Sequence, residues 1–361
     1  MGYRRLIPSE NPLSIAGTDM LILGIETSCD ETAAAVVENG RSVRSSIVAS
    51  QDEIHGPYGG VVPELACRRH LEVIDGVVYT ALEKAGISKS DLDLIAVVNG
   101  PGLIGALLIG LSFAKSIAYG LGIPLIGVHH IEAHLYGALM SHEDVPMPAI
   151  GLVVSGGHTV LFQMRSIGEY TCLGSTVDDA VGEAFDKVAS LLGLPYLGGP
   201  LVEKLARKGD RHAIEFPRAM LKKKGFDFSY SGLKTAVLYR IKGYGKRRTD
   251  KDKISENEKA DIAAGFQEAA FEVLVKKAIK AARKLDANSI VVGGGVSRNL
   301  RLREMFDEEA ADKGIRVYFP DPELCTDNAA MVAGLAYHKF ERSPAGAGLS
   351  LTADPNLEFI A

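Results

Sequence analysis

Residues 20–40 read MLILGIETSCDETAAAVVENG, and residues 149–164 read AIGLVVSGGHTVLFQM. Each opens with an apolar, β-branched run, breaks into a short polar turn, and resumes as a second apolar run. That pattern predicts a β-hairpin whose tip carries hydroxyls, glycines or carboxylates. The two stretches align without a gap, so that Gly24 falls on Gly151, Ser28 on Ser155 and Thr32 on Thr159. A strand–turn–strand unit at the head of each half implies a duplicated architecture.

Further along, each half has a strand that runs into glycines and then a helical pattern: residues 92–121, LDLIAVVNGPGLIGALLIGLSFAKSIAYGL, and residues 287–314, ANSIVVGGGVSRNLRLREMFDEEAADKG. Apolar strands entering helices through glycine turns are expected of largely buried sheets. The helix N-termini behind such turns suit phosphate. The expected fold is therefore α/β and two-lobed, the actin-like (ASKHA) arrangement of two ribonuclease-H-like domains with a ligand cleft between them. We expect residues 1–19 to be an extension outside the fold. Residues 20–146 plus 326–361 should form the first lobe and residues 147–325 the second.

Composition agrees. A chain of 361 residues is long for one core. Its formal net charge of −5 does not announce a nucleic-acid binder, so a polyanion would need a local basic patch or a partner. Lys222, Lys223 and Lys224, and then residues 240–253, are locally basic. Such runs either contact phosphates or are simply solvated. The cysteines Cys29, Cys67, Cys172 and Cys325 show no C-x-x-C spacing, which predicts reduced thiols and a cytoplasmic location. No apolar run is expected to cross a membrane.

Residues 129–140 read HHIEAHLYGALM and predict a helix. On it His130 and His134, four apart, project from one face and can share a metal ion; the alternative is two polar helix residues. A zinc peptidase would need H-E-x-x-H. Here Glu132 lies about 200° around the helix from His130, at 3.6 residues per turn, and cannot act over the same ion. Asp327, at the mouth of a later apolar helix, is the candidate third ligand, although an acid there also reads as an N-cap.

Four stretches look like cleft lining. The first, Val153, Val154, Ser155, Gly156 and Gly157, offers backbone N–H groups that suit an anion. Then comes GSTVDDAVGEAFDKV with Asp178, Asp179, Glu183 and Asp186, any of which could bind ribose hydroxyls. Spacing does not choose among the four. The third is the turn at Gly198, Gly199 and Pro200, followed by Glu203. The last is GGGVSRN, ending at Asn299.

Taken jointly, GIETSCDETAAAVV, HGPYGGVVPELACRRH, NGPGLIGALLIGL, HHIEAHL, VSGGHT, DDAVGEAFDKVASLLGLPYLGGP, FSYSGLKTAV, GGGVSRN and CTDNAAMVA resemble the TsaD family of tRNA threonylcarbamoyladenosine synthesis proteins, in its bacterial or organellar branch. The motifs run through nearly the whole chain. The resemblance implies transfer of a threonylcarbamoyl group from threonylcarbamoyl-AMP to N6 of adenosine 37, in tRNAs reading codons that begin with adenine. By motif it makes His130, His134 and Asp327 the ligands of one divalent metal, iron or else zinc. It gives substrate contacts to Val153, Val154, Ser155, Gly156, Gly157, Asp186, Gly199, Glu203 and Asn299. The implied nucleotide is threonylcarbamoyl-AMP or ATP. The implied partners are tRNA, TsaB- and TsaE-type proteins, and a TsaC-type enzyme that supplies the adenylate. Departures from the family pattern are the N-terminal extension, Cys67 in place of serine, and the basic insertion around Lys246.

An adenine amine is a poor nucleophile, so the acyl donor must arrive activated and the protein supplies orientation and charge stabilisation. Asp30 or Glu31, at the first hairpin tip, could orient that amine or take its proton; the alternative is a structural or metal-supporting role. The competing function is an ATP-dependent small-molecule kinase or ATPase on the same fold, which leaves the histidine pair unexplained.

Overall fold

The computed structural model describes residues 19–243, 254–344 and 346–359. The expected N-terminal extension, apart from Asp19, and most of the basic insertion lie outside the described residues. The first sheet comprises β1 (Leu21–Glu26), β2 (Glu31–Glu38), β3 (Ser42–Ser50), β4 (Leu94–Gly100) and β5 (Leu125–His129), in the order β3-β2-β1-β4-β5. The second comprises β6 (Ala149–Val154), β7 (Thr159–Ser166), β8 (Glu169–Ser175), β9 (Ser289–Gly293) and β10 (Arg316–Tyr318), in the order β10-β9-β6-β7-β8.

These two orders are the same arrangement read from opposite ends. The predicted duplication extends to the pairing register. Gly24 faces Ala35 in the first hairpin, and their aligned counterparts Gly151 and Phe162 face each other in the second. Parallel pairs β1–β4–β5 and β6–β9–β10 form the other side of each sheet. β4 and β9 are almost wholly buried, as continuous apolar runs require.

Ten helices accompany the sheets among the described residues: α1 (Asp52–His55), α2 (Pro63–Ala85), α3 (Ile104–Leu121), α4 (His130–Met140), α5 (Val181–Leu191), α6 (Gly198–Ala206), α7 (Ser231–Lys242), α8 (Glu256–Lys284), α9 (Leu300–Ala310) and α10 (Ala330–Arg342). All eleven residues of α4 are buried. One apolar cluster joins its Ile131, Leu135 and Leu139 both to Ile22 and Val128 of the first sheet and to Val153 and Val291 of the second. α4 is thus common to both halves.

Two glycines set the close approaches. A Cβ on Gly24 would lie 2.3 Å from the carbonyl oxygen of Ala329, so β1 admits α10 only because it lacks one. A Cβ on Gly293 would lie 2.3 Å from the carbonyl oxygen of His134, which lets the end of β9 press against α4.

α3 departs from expectation. By length and composition it is apolar enough to cross a bilayer, although only 33% of it is buried. The cause is its seat on β4 and α2 by alanine, glycine and leucine, with Ile104, Leu108 and Tyr119 left on the outer side.

The segment near the C-terminus also reaches across. Its Asp354 amide donates to the carbonyl of Asn99, and Phe359 packs against His129, Phe162 and Tyr170.

Candidate metal and nucleotide cleft

β5 delivers the chain directly into α4, so His129 ends the strand and His130 starts the helix. The geometry separates the three polar residues of HHIE. His129 turns away, with Nε2 3.0 Å from the carbonyl of Leu357 and Nδ1 accepting from the amide of Ile131. Glu132 also points away and pairs with Lys339 at 3.0 Å. His130 and His134 stay together, their ring centroids 4.7 Å apart. The angular argument against a peptidase therefore holds in three dimensions.

Asp327 completes the group. One ligand atom from each of His130, His134 and Asp327 lies within 4.8 Å of the others. Asp327 Oδ1 is 3.0 Å from His134 Nε2 and 3.8 Å from His130 Nε2. The N-cap alternative is answered by Asn328, whose Oδ1 accepts from the amide of Met331 in the first turn of α10. Asp327 is left free to face the histidines, with about 20% of its side chain exposed.

His134 is fully buried, and neither of its ring nitrogens makes a hydrogen bond; its approach to Asp327 lacks hydrogen-bond geometry. Leaving buried polar atoms unpartnered costs about 1–3 kcal/mol each, and a cation between the rings and the carboxylate would satisfy Nε2, the nitrogen turned toward Asp327. The donor set fits a divalent transition metal.

Behind His130 stand two groups missed at the level of sequence. Its Nδ1 lies 3.0 Å from Glu26 Oε2 and 3.1 Å from Ser28 Oγ. This is the carboxylate support that orients ligating histidines. Burial opposes charge on His130, but Asp327 and Glu26 outweigh it and push its pKa up to about 9. Burial would raise Asp327, yet the adjoining His130 and His134 hold it well below the usual carboxylate range. His158 has its pKa lowered to about 4, by burial and then by His130 and His134, so a neutral imidazole faces the group.

The first hairpin tip brings a second set of acids. Asp30, Glu31 and Asp52 come within 4.8 Å of one another. Burial raises the pKa of Glu31 well above its ordinary value, with Asp327 and then Asp30 adding to the shift. Glu31 thus borders the histidine group, and Asp30 lies close enough to raise Asp186 across the cleft.

Around the second hairpin, Val153 and Val154 are wholly buried within β6, where Val153 pairs with both β7 and β9 and Val154 with β7, so the structure does not bring them to an open surface as the sequence reading expected. Gly156 and Gly157 are exposed, with nothing within 4 Å of where a Cβ would sit. The first amides of α5 brace this tip, Gly182 donating to Ser155 and Glu183 to Gly156.

The four acids that spacing left open are now distinct. Asp178 accepts from Ser229, Tyr230 and Ser231. Asp179 pairs with Lys187 and Lys234, and Glu183 with Lys187. Asp186 instead accepts from the amide of Gly199 at 3.2 Å, and burial raises its pKa.

Glu203 and Asn299 are brought together, since Glu203 Oε1 accepts from the amide of Leu300. Asn299 caps α9 and donates to Gln267. Beside them opens a cavity of about 550 Å³, lined in part by Glu203, Arg207, Gln267, Leu300 and Arg301. That volume accommodates a nucleoside-sized ligand.

Among solved structures, the chain resembles HypF of T. kodakarensis at a TM-score of 0.59 and 16% identity, covering 92% of this chain and 49% of that one. It also resembles component A of the (R)-2-hydroxyglutaryl-CoA dehydratase of Acidaminococcus fermentans, at a TM-score of 0.51 and 16% identity, over 89% and 98% of the two chains. At these identities the likeness speaks for the fold alone, which is the two-lobed actin-like one. Sequence relatives say more. The chain is 50% identical over 341 residues to the tRNA N6-adenosine threonylcarbamoyltransferase of Clostridioides difficile (strain 630), covering 94% of this chain and 99% of that protein. To the protein of the same name from Syntrophotalea carbinolica it is 52% identical over 320 residues, 88% and 92% of the two chains. A family model described as TsaD, tRNA N6-adenosine threonylcarbamoyltransferase, matches residues 42–334. With a match across most of its length and relatives at half identity, the chain belongs to the TsaD family.

Proposed function

We propose that this chain transfers the threonylcarbamoyl group of threonylcarbamoyl-AMP to N6 of adenosine 37 in tRNAs that read codons beginning with adenine, forming N6-threonylcarbamoyladenosine. One observation carries the reading at the level of the site. The His134 ring, whose nitrogens make no hydrogen bond, sits with His130 and Asp327, and His158 of the glycine hairpin stands with its ring 6.4 Å from that of His130, in a chain of the family named for this transfer. A small-molecule kinase would leave the buried histidines without a task.

In the reaction, the N6 amine attacks the carbamoyl carbon and the bond from that carbon to the phosphate oxygen breaks. AMP leaves with the electron pair, and the amine loses a proton. A divalent ion held by His130, His134 and Asp327, iron on our reading and zinc as the alternative, would supply Lewis acidity toward the threonyl carboxylate or hydroxyl.

The remaining work falls to the chain itself. The backbone of Ser155, Gly156 and Gly157 cradles the phosphate or the developing oxyanion. Asp186 and Gly199 bind the ribose side, and Glu203 and Asn299 border the base. Asp30 orients the amine. Glu31, beside it at the hairpin tip and bordering the histidine group, is the group assigned to exchange the proton.

The two sheets would correspond to lobes formed by residues 20–146 plus 326–361 and by residues 147–325. Partners on this reading are tRNA, a TsaB-type and a TsaE-type protein, with a TsaC-type enzyme supplying the adenylate. Exposed Leu71 and Tyr79 on α2 and Ile104, Leu108 and Tyr119 on α3 favour protein docking on that flank. The four cysteines are free thiols, in keeping with the cytoplasm.

The test is incubation with threonylcarbamoyl-AMP and unmodified tRNA, with and without the TsaB- and TsaE-type proteins, followed by mass analysis of the nucleosides. Modified adenosine is the expected product. Its absence with all partners present rejects the reading.

A further inference from the structure

Away from the cleft, one stretch of surface is strongly basic. At the C-terminal end of α8, Lys276, Lys280, Arg283 and Lys284 are exposed, with no acidic residue between the first and the last. A separate loop adds exposed Lys222, Lys223 and Lys224. The two runs meet around Lys277. Its pKa is lowered by burial, Asp227 opposes the shift while Lys280 and Lys223 add to it, and its ammonium donates to the carbonyl of Asp227. Lys280 and Lys284 stand 5.8 and 5.6 Å from the ring centre of Phe226.

Lys276 pairs with Glu272. Among the described residues Lys222, Lys223, Lys224, Lys280, Arg283 and Lys284 have no carboxylate partner. Basic residues in a last helical turn complement the helix dipole. That explains one or two of them, not a row. Lys276, Lys280 and Lys284 recur every fourth residue on one face and repel one another. The loop lysines add to that repulsion, which a polyanion would relieve.

This surface is tied to the cleft. The loop continues into residues 226–231, where Phe228 bridges to Thr176, and Ser229, Tyr230 and Ser231 donate to Asp178. Asp178 lies three residues before the start of α5, whose first turn braces Ser155 and Gly156. Near the middle of the patch's helix, Gln267 touches Asn299. Lys280 follows thirteen residues later, which at 1.5 Å per residue is about 20 Å away.

We infer that this surface, formed by the Lys222–Lys224 loop and the Lys280–Lys284 end of α8, receives the sugar–phosphate backbone of the tRNA while adenosine 37 enters the cleft. The inference rests on the transferase reading and deepens it by naming the surface. With a net charge of −5, a polyanion has to be met by a local patch or by a partner, and this surface is such a patch. Phe226, the aromatic floor, is buried, so neither base stacking nor insertion into a lipid surface is offered. What remains is lysine and arginine for phosphates, a sequence-independent contact.

The test combines Lys280→Glu with Lys284→Glu in the full chain, with the partner proteins present and Lys89→Glu as a control on the other half. A Lys280→Gln, Lys284→Gln pair keeps the helix-forming character if charge reversal disturbs folding. We expect KM for tRNA to rise at least tenfold with kcat and adenylate binding unchanged. The slope of log affinity against log salt should fall by about one for each phosphate that is no longer neutralised. An unchanged KM and salt slope overturns the inference, as does tRNA binding that fails only together with adenylate binding. An effect seen with acidic protein or anionic vesicles but not with tRNA overturns it as well. If the unaltered enzyme binds tRNA through this patch yet makes no modified nucleoside, the transferase reading fails and the surface assignment stands.

Discussion

Glu26 Oε2 lies 3.0 Å from His130 Nδ1, joining the end of the first strand to the first residue of the buried helix α4. The contact fixes the ring, so that Nε2 is the nitrogen turned toward Asp327. Replacing Glu26 by Gln keeps the shape and removes the charge. Metal affinity should fall about ten- to hundredfold, the usual effect of losing a carboxylate behind a ligating histidine. Competition with a chelator measures it, and an unchanged affinity removes Glu26 from the site.

His134→Ala should abolish metal retention and threonylcarbamoyl transfer together. Metal per chain by elemental analysis and modified nucleoside by mass spectrometry are the two readouts. Full turnover by a metal-free variant would falsify the role assigned to the ion.

The pH dependence of metal binding follows from His130. Its pKa of about 9 without metal means that the ring carries a proton at neutral pH. Binding must expel that proton, so affinity should climb as pH rises and level off above about pH 9. One competing proton allows at most about tenfold per pH unit. Glu26→Gln removes one of the charges that raise the pKa and should move the plateau to lower pH. Chelator competition across pH would show a flat profile if the assignment is wrong.

Two glycines should behave oppositely. Gly293→Ala forces a Cβ against the backbone of His134, and overpacking of this kind costs about 1–3 kcal/mol. Tm should drop and metal affinity should weaken with it. Gly156→Ala meets no neighbour, so its stability should stay within about 0.5 kcal/mol. Its KM for the adenylate should rise, because the added methyl projects from the exposed hairpin tip. A Gly156→Ala enzyme with unchanged KM would take this loop out of substrate binding.

The hairpins were legible because a strand with one period and a polar tip leaves its mark on consecutive residues. The duplication could be read as far as the pairing register. The histidine pair was legible because helical spacing is local. Asp327 was ambiguous, since an acid before a helix satisfies the capping preference equally well. Only the fold reveals that Asn328 does the capping. Asp186 could not be chosen from its three acidic neighbours. The partners that occupy Asp178, the backbone and hydroxyls of residues 229–231, lie some fifty positions on. Glu26 was missed because a carboxylate at the end of an apolar strand looks like an ordinary boundary. Its meaning depends on a histidine that another strand brings alongside. The membrane-like composition of α3 was passed over for a related reason, as small and apolar residues serve both a packed helix and a spanning one.

Helix α4 belongs to the packing of both halves, and this has a mechanical consequence. Were one sheet to turn relative to the other, α4 would restrain it together with the C-terminal segment that also reaches across, and points near that joint would travel least. His130 and His134, on one helix, would then keep their spacing while the rims of the cleft swept through larger arcs. The farther an element stands from α4, the more it would move, so closure would swing the outer end of α8 and whatever lies on it. In such a machine the chemistry stays at the axle and the grip is at the end of the lever.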